Sequence, residues 1–275
     1  MKSRKAQVTR LKAQVTTVVV CAVMTTVVAA AQQGQGVDSP TTVNLGGGSA
    51  WRGVVPTGPV PRLPDGSVDL TGVWQGGGPS QNVAQGLPKG ETIPILPLAK
   101  ARMDARTVLD NTEALCLPAG VPRVPSNYPW RMVQTPSHKA ATHIFVLFEG
   151  NIHSFRQIFM DGRKHPTDLD PSWYGHSVGR WDGDTLVIDT IGFNDRGALD
   201  GAGHPQTLQK HVIERWTRQD QGHMVNVVTI DDPGAYSRPF TTTWQATLRV
   251  GDELMEYICN ENNQIGIAGG YIKPQ

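Results

Sequence analysis

The 275-residue chain carries 25 Lys+Arg against 24 Asp+Glu, and five of the basic residues lie within its first twelve positions. Without those five the balance is 20 against 24, so no basic surplus remains to neutralise phosphates, and nucleic acid is excluded as an expected partner. No second stretch is apolar over the roughly 20 residues a membrane helix needs.

Lys2, Arg4, Lys5, Arg10 and Lys12 precede an apolar run from Val15 to Ala31 that closes on Ala29-Ala30-Ala31. Basic, then apolar, then small is the order of a cleavable secretory signal. Residues 1–31 are therefore expected to be removed near Ala31, leaving a secreted or periplasmic protein without a stable membrane anchor. Residues 32–66, rich in Gly, Pro, Ser, Thr and Gln, cannot bury enough apolar surface to order themselves and are expected to form a flexible leader. Residues 67–275 form the expected single folded domain. Export also bears on the cysteines: Cys116 and Cys259 are expected to form one disulfide, the alternative being two buried thiols.

Asp69 to Trp74 reads as a first short strand. Residues 79–97 read as loop, and Pro97 to Leu115 as the one helix, with Pro near its start and Ala and Leu at helical spacing. Residues 116–140 hold five prolines and read as irregular. Four hairpins follow: residues 142–148 with 152–160, 177–181 with 184–190, 210–218 with 223–230, and 241–250 with 253–260. Local connections between about eight strands, with long N-terminal loops, predict a mainly β, antiparallel up-and-down, lipocalin-like barrel. The helices that a parallel sheet requires between its strands are missing from the pattern.

The Asp182-Gly183 pair marks the strongest turn, because a two-residue hairpin loop needs positive φ. Placing the loop there sets His176 opposite Asp189, with Arg180 on the same face. An imidazole beside a carboxylate has a fixed tautomer and a raised pKa, which suits a general base, and a nearby guanidinium stabilises developing negative charge. His176, Asp189 and Arg180 are therefore candidate catalytic residues if that face points inward, and an ordinary surface ion pair if it points outward. Glu214 between Val212 and Trp216 is a candidate second acid, or a partner in a structural ion pair. Trp173, Tyr174, Trp216 and Trp244 are candidate walls of a substrate pocket, or core filling. The eight histidines show no compact metal-ligand spacing, which leaves open only a metal assembled from separate strands. The chain also lacks a nucleophile elbow, a P-loop and a dinucleotide fingerprint, and no organic cofactor is expected.

Several strings are similar to a family of exported bacterial β-rich proteins. They are DPSWYGHS from Asp170, GDTLVIDTIGFN from Gly183, Glu214-Arg215, Asp231-Asp232-Pro233 and EYICNEN from Glu256. The resemblance covers about residues 142–263 and implies export and a β fold, without an activity. Gly72-Val73-Trp74 resembles the Gly-x-Trp of lipocalin-type barrels. The reading that follows is a secreted enzyme doing proton-transfer chemistry (hydrolysis, elimination or isomerisation) on a small aromatic or apolar molecule. A lipocalin-like carrier of a hydrophobic ligand is the alternative, and an envelope interaction protein the third. Oligomeric state is not legible.

Overall fold

Alternation of inward and outward side chains, the inward ones mostly apolar, runs along nine strands, which close in chain order into one barrel in the computed structural model. The structure describes residues 51–76, 81–136, 141–150 and 154–261. The strands are β1 (Gly72–Gly76), β2 (Pro129–Pro136), β3 (Ala141–Phe148), β4 (Phe155–Phe159), β5 (His176–Asp182), β6 (Thr185–Ile191), β7 (His211–Arg218), β8 (His223–Asp231) and β9 (Phe240–Leu248). Each pairs with the next, and β9 closes on β1 through Trp74↔Leu248. Every ladder is antiparallel except β4–β5, which is parallel over Ile158↔Ser177 and Phe159↔Val178. Residues 160–175 therefore cross from one barrel end to the other before β5 begins.

The interior is filled. Trp74, Trp130, Trp216 and Trp244 form a chain of rings with centroids 6.2, 5.3 and 6.5 Å apart, packed with Met132, Ile144, Ile158, Leu186 and Ile188. Small barrels of this kind are packed by their own side chains, with room for at most one small ligand. One mouth is closed by the loops before β7 and β9. There Asp200 accepts hydrogen bonds from the backbone of Val83, Gly203 and His204 and from His204 Nδ1, and Asp232 accepts from Thr207. Lys210 is wholly buried, donating to Val121 O at 2.7 Å and Gln206 Oε1 at 2.5 Å above the Phe193 ring. Burial lowers its pKa to about 7.

Three expectations change. The barrel has nine strands, because the proline-rich segment contains β2: Pro129 and Pro136 stand at its two ends, so Trp130 to Thr135 remain free to pair. Residues 253–260 form no strand, since β1 occupies the edge of β9 that they would need. The helix is confined to α1 (Pro97–Asp104); Thr107 and Asn111 then adopt extended backbone and cap two short 3₁₀ turns, restarting the chain. A second short helix, α2 (Val124–Asn127), precedes β2.

The expected signal, residues 1–31, and residues 32–50 of the expected leader lie outside the described residues. From Trp51 onward the expected leader is laid along the barrel: Arg62 pairs with Asp184 at 2.6 Å, and Gln221 N donates to Gly58 O at 3.0 Å. Hydrogen bonds, one ion pair and the packing of Val60 on the core hold it there. Cys116 and Cys259, 143 residues apart, are joined by a disulfide.

Candidate functional site

The β5–β6 hairpin turns on Gly183-Asp184, one residue later than expected. Gly183, with φ 59°, takes the first of the two loop positions, the place a glycine-first hairpin turn reserves for positive φ. The register therefore slips by two, so that His176 pairs with Ile191 and Asp189 with Val178. A slip of two keeps every side chain on its face. His176, Arg180 and Asp189 do share a face, but it is the outer one: the interior of this wall is Ser177, Gly179, Leu186, Ile188 and Thr190. The expected inward dyad of opposed residues is thus corrected.

The imidazole and the carboxylate are nevertheless connected. His165, from the crossover, stands between them, with Nδ1 2.8 Å from His176 Nδ1 and Nε2 3.3 Å from Asp189 Oδ1. On the other side His211 Nε2 lies 2.8 Å from the same Asp189 oxygen. With the carboxylate as acceptor, His165 carries its proton on Nε2 and accepts at Nδ1 from His176 Nδ1–H. The remaining lone pair of the chain is then on His176 Nε2. The His176 ring stacks on Phe159 at 5.0 Å, and the Arg163 guanidinium lies 3.9 Å from that same ring. Burial first, then the electrostatic influence of the neighbouring His165 ring and Arg163, lower the His176 pKa from its ordinary value, which favours the neutral ring at pH 7. Asp189 and His211 remain about 40 % and 39 % exposed, so the chain opens to solvent. Gly175 makes the entry into β5 possible: its φ is 65°, and a Cβ there would meet Ile191 O at 2.6 Å.

Glu214 is on the opposite side of this wall. Its side chain is 0 % exposed, and Oε2 lies 2.6 Å from Nη1 of Arg156, itself 4 % exposed. Arg156 Nε donates to Ser177 Oγ at 3.0 Å and Nη2 to Thr190 Oγ1 at 2.7 Å; Trp216 Nε1 and Asn226 Nδ2 each donate to Glu214 Oε1 at 3.3 Å. Glu214 is thus held inside the barrel by a guanidinium and two neutral donors, on the opposite side of the wall from His176 and Asp189. Neither a family model, nor a curated protein, nor a solved structure matches the chain.

Trp216 and Trp244 line the interior. Tyr174 stacks on Phe148 at 5.6 Å and hydrogen-bonds Ser154, while burial raises its pKa. Trp173 lies apart from both clusters, under the Arg196 guanidinium. Arg180 is exposed, and its position in the strand is four residues from His176, about 13 Å along the wall; Arg163 supplies the nearby positive charge instead. His165, Arg163 and Arg156 were not legible as site residues. His165 and Arg163 sit in a crossover whose path no pattern encodes, and Arg156 reads as one more polar position in a strand. Among the described residues no group of three or more His, Cys, Asp or Glu side chains is arranged to hold a metal ion; His165 spends both ring nitrogens within the chain.

Proposed function

We propose that this protein is a small-molecule enzyme of the proton-transfer class, with its acid–base centre on the outer wall of β5–β7. What supports the reading is one observation: His176, His165, Asp189 and His211 form a continuous hydrogen-bonded chain, ending in an imidazole whose neutral form is favoured at pH 7. His176 Nε2 takes the substrate proton, His165 passes charge toward Asp189, and the carboxylate stabilises the imidazolium that results. Phe159, stacked by His176 and covered by Arg163, makes this end of the chain apolar, which favours aromatic or apolar substrates, and the Arg163 guanidinium, ion-paired with Asp161 at 2.5 Å, is the positive charge nearest to it.

The test is a panel of aromatic esters, β-substituted ketones and carbon acids, followed for hydrolysis, elimination or exchange of deuterium from solvent. His176→Ala and Asp189→Asn are expected to lower kcat on the responding substrate by about 10²–10⁴-fold, with thermal melts unchanged, whereas Arg180→Ala leaves turnover intact. Full activity in His176→Ala refutes the assignment. Wild-type kcat/KM should rise with pH to a plateau whose midpoint lies below 6.5, the ordinary histidine value.

A further inference from the structure

The outer wall of β3 and β4 continues the histidine chain as a row of aromatic rings. His176 stacks on Phe159, and His143 packs edge-to-face with Phe159 at 5.2 Å between centroids. His143 in turn stacks on Phe145 at 5.7 Å, and Phe145 meets Phe155 at 6.1 Å. The register accounts for the row. Leu147↔Phe155, Phe145↔Gln157 and His143↔Phe159 are cross-strand pairs. Buried Ile144, Val146, Arg156 and Ile158 alternate with them, so all six side chains stand on the outer face. The far end of the row is open: Phe155 is 57 % exposed and Leu147 36 %. Single exposed apolar side chains are ordinary. Two that are paired across strands and joined to further rings form a contiguous patch, which marks a binding surface.

Charge and length decide what suits the patch. None of the six outward residues is Asp, Glu, Lys or Arg. Arg131, opposite Leu147 on β2, and Arg163, over the Phe159 ring, stand only at its borders. A charged group laid on the rings would lose water without gaining a partner, whereas hydrocarbon would not. Four residues separate Phe155 from Phe159 along β4, about 13 Å, which is the reach of an extended chain of about ten carbons. We propose that the patch is the tail subsite of the histidine site. Its substrate is an uncharged molecule with the reactive group at one end and an unbranched apolar chain at the other. The identity of the reacting end rests on the acid–base reading of His176; the tail subsite rests on Phe145, Leu147 and Phe155. Arg163, itself 43 % exposed, covers Phe159 at the junction, so the tail is held mainly by the three residues beyond it.

The experiment uses the disulfide-bonded protein and two methyl ketones, 2-pentanone and 2-decanone, which share a reactive end and differ only in tail length. Binding is followed by NMR of the His176 and phenylalanine rings, and deuterium exchange beside the carbonyl is read in the same samples. Each methylene lying on the patch gains about half of what full burial gives, so 2-decanone is expected to bind about tenfold more tightly or better. It should shift Phe145 and Phe155 as well as His176. In Phe155→Ser, at an exposed position outside the core, the length preference should largely disappear. Leu208→Ser removes an equally exposed side chain from the loop before β7 and should keep it. Equal affinities, a preference that survives in Phe155→Ser, or one lost equally in Leu208→Ser would each overturn the subsite. A wild-type dimer in sedimentation that becomes a monomer in Phe155→Ser would overturn it too, because a second copy then covers the patch. Exchange without any length preference removes the subsite and leaves the acid–base reading standing; a length preference without exchange does the reverse.

Discussion

Removing one member of the Arg156–Glu214 pair should cost far more than removing both. In Glu214→Leu a guanidinium that is 4 % exposed loses the carboxylate 2.6 Å away and keeps only the Ser177 and Thr190 hydroxyls. Trp216 Nε1 and Asn226 Nδ2 lose their shared acceptor as well. An uncompensated buried charge costs about 3–5 kcal/mol, which for a domain of this size lowers Tm by about 10 °C. Arg156→Met leaves the carboxylate stranded with a similar cost. Arg156→Met/Glu214→Leu removes both charges and puts hydrocarbon among Trp130, Ile188 and Trp216; it keeps the cost of the lost hydrogen bonds but not that of a stranded charge, so it should be more stable than either single variant. Urea unfolding of the four proteins, disulfide intact, closes a double-mutant cycle. A coupling energy near zero, or a double variant as unstable as the worse single one, would show that the pair is not buried in the way described.

Further outcomes follow from other parts of the barrel. Reducing Cys116–Cys259, which closes a loop over a separation of 143 residues, should cost about 4–5 kcal/mol in the chain-entropy model, read as a lower urea midpoint with the β signal in circular dichroism retained. Lys210 has its pKa lowered from 10.5 to about 7 by burial. Between those two values the unfolded chain holds a proton that the folded one has shed, so this group's penalty is full below pH 7 and relieved as pH rises toward 10.5. Unfolding free energies at pH 7, 8.5 and 10 should therefore climb relative to a Lys210→Met variant; parallel curves would refute the assignment. In the NMR titration of His176, Arg163→Gln should move the midpoint upward, because Arg163 contributes to its lowering, and no movement would place Arg163 elsewhere in solution.

Much of the architecture was present in local pattern. Residues 177–190 and 210–230 alternate so regularly that the strands, their hairpins and the membership of each face could be read directly, and the face carrying His176, Arg180 and Asp189 is intact in the structure. The sequence did not say which face was inside, because alternation fixes parity and not sign: Val178 and Val187 on one face compete with Leu186 and Ile188 on the other. Register failed for a related reason. Asp182-Gly183 and Gly183-Asp184 both suit a two-residue turn, and the choice between them moves each partner by two residues without changing any face. β2 escaped notice because prolines flag a break wherever they occur, and only the pairing shows that Pro129 and Pro136 cap a strand instead of interrupting one.

By itself, then, the sequence determined three of the hairpins, β3–β4, β5–β6 and β7–β8, the two cysteines available for one bond and the set of polar side chains that share each wall, since all of these depend on neighbours within a few residues or on simple counting. Tertiary structure alone decided that β9 closes on β1, that β4 and β5 run parallel, and that the crossover between them carries His165 into the gap between His176 and Asp189. It also decided that Arg156 meets Glu214, 58 positions further along the chain, through the barrel interior. Those contacts join residues whose separation along the chain has no period, so they exist only once the sheet has curved round and closed.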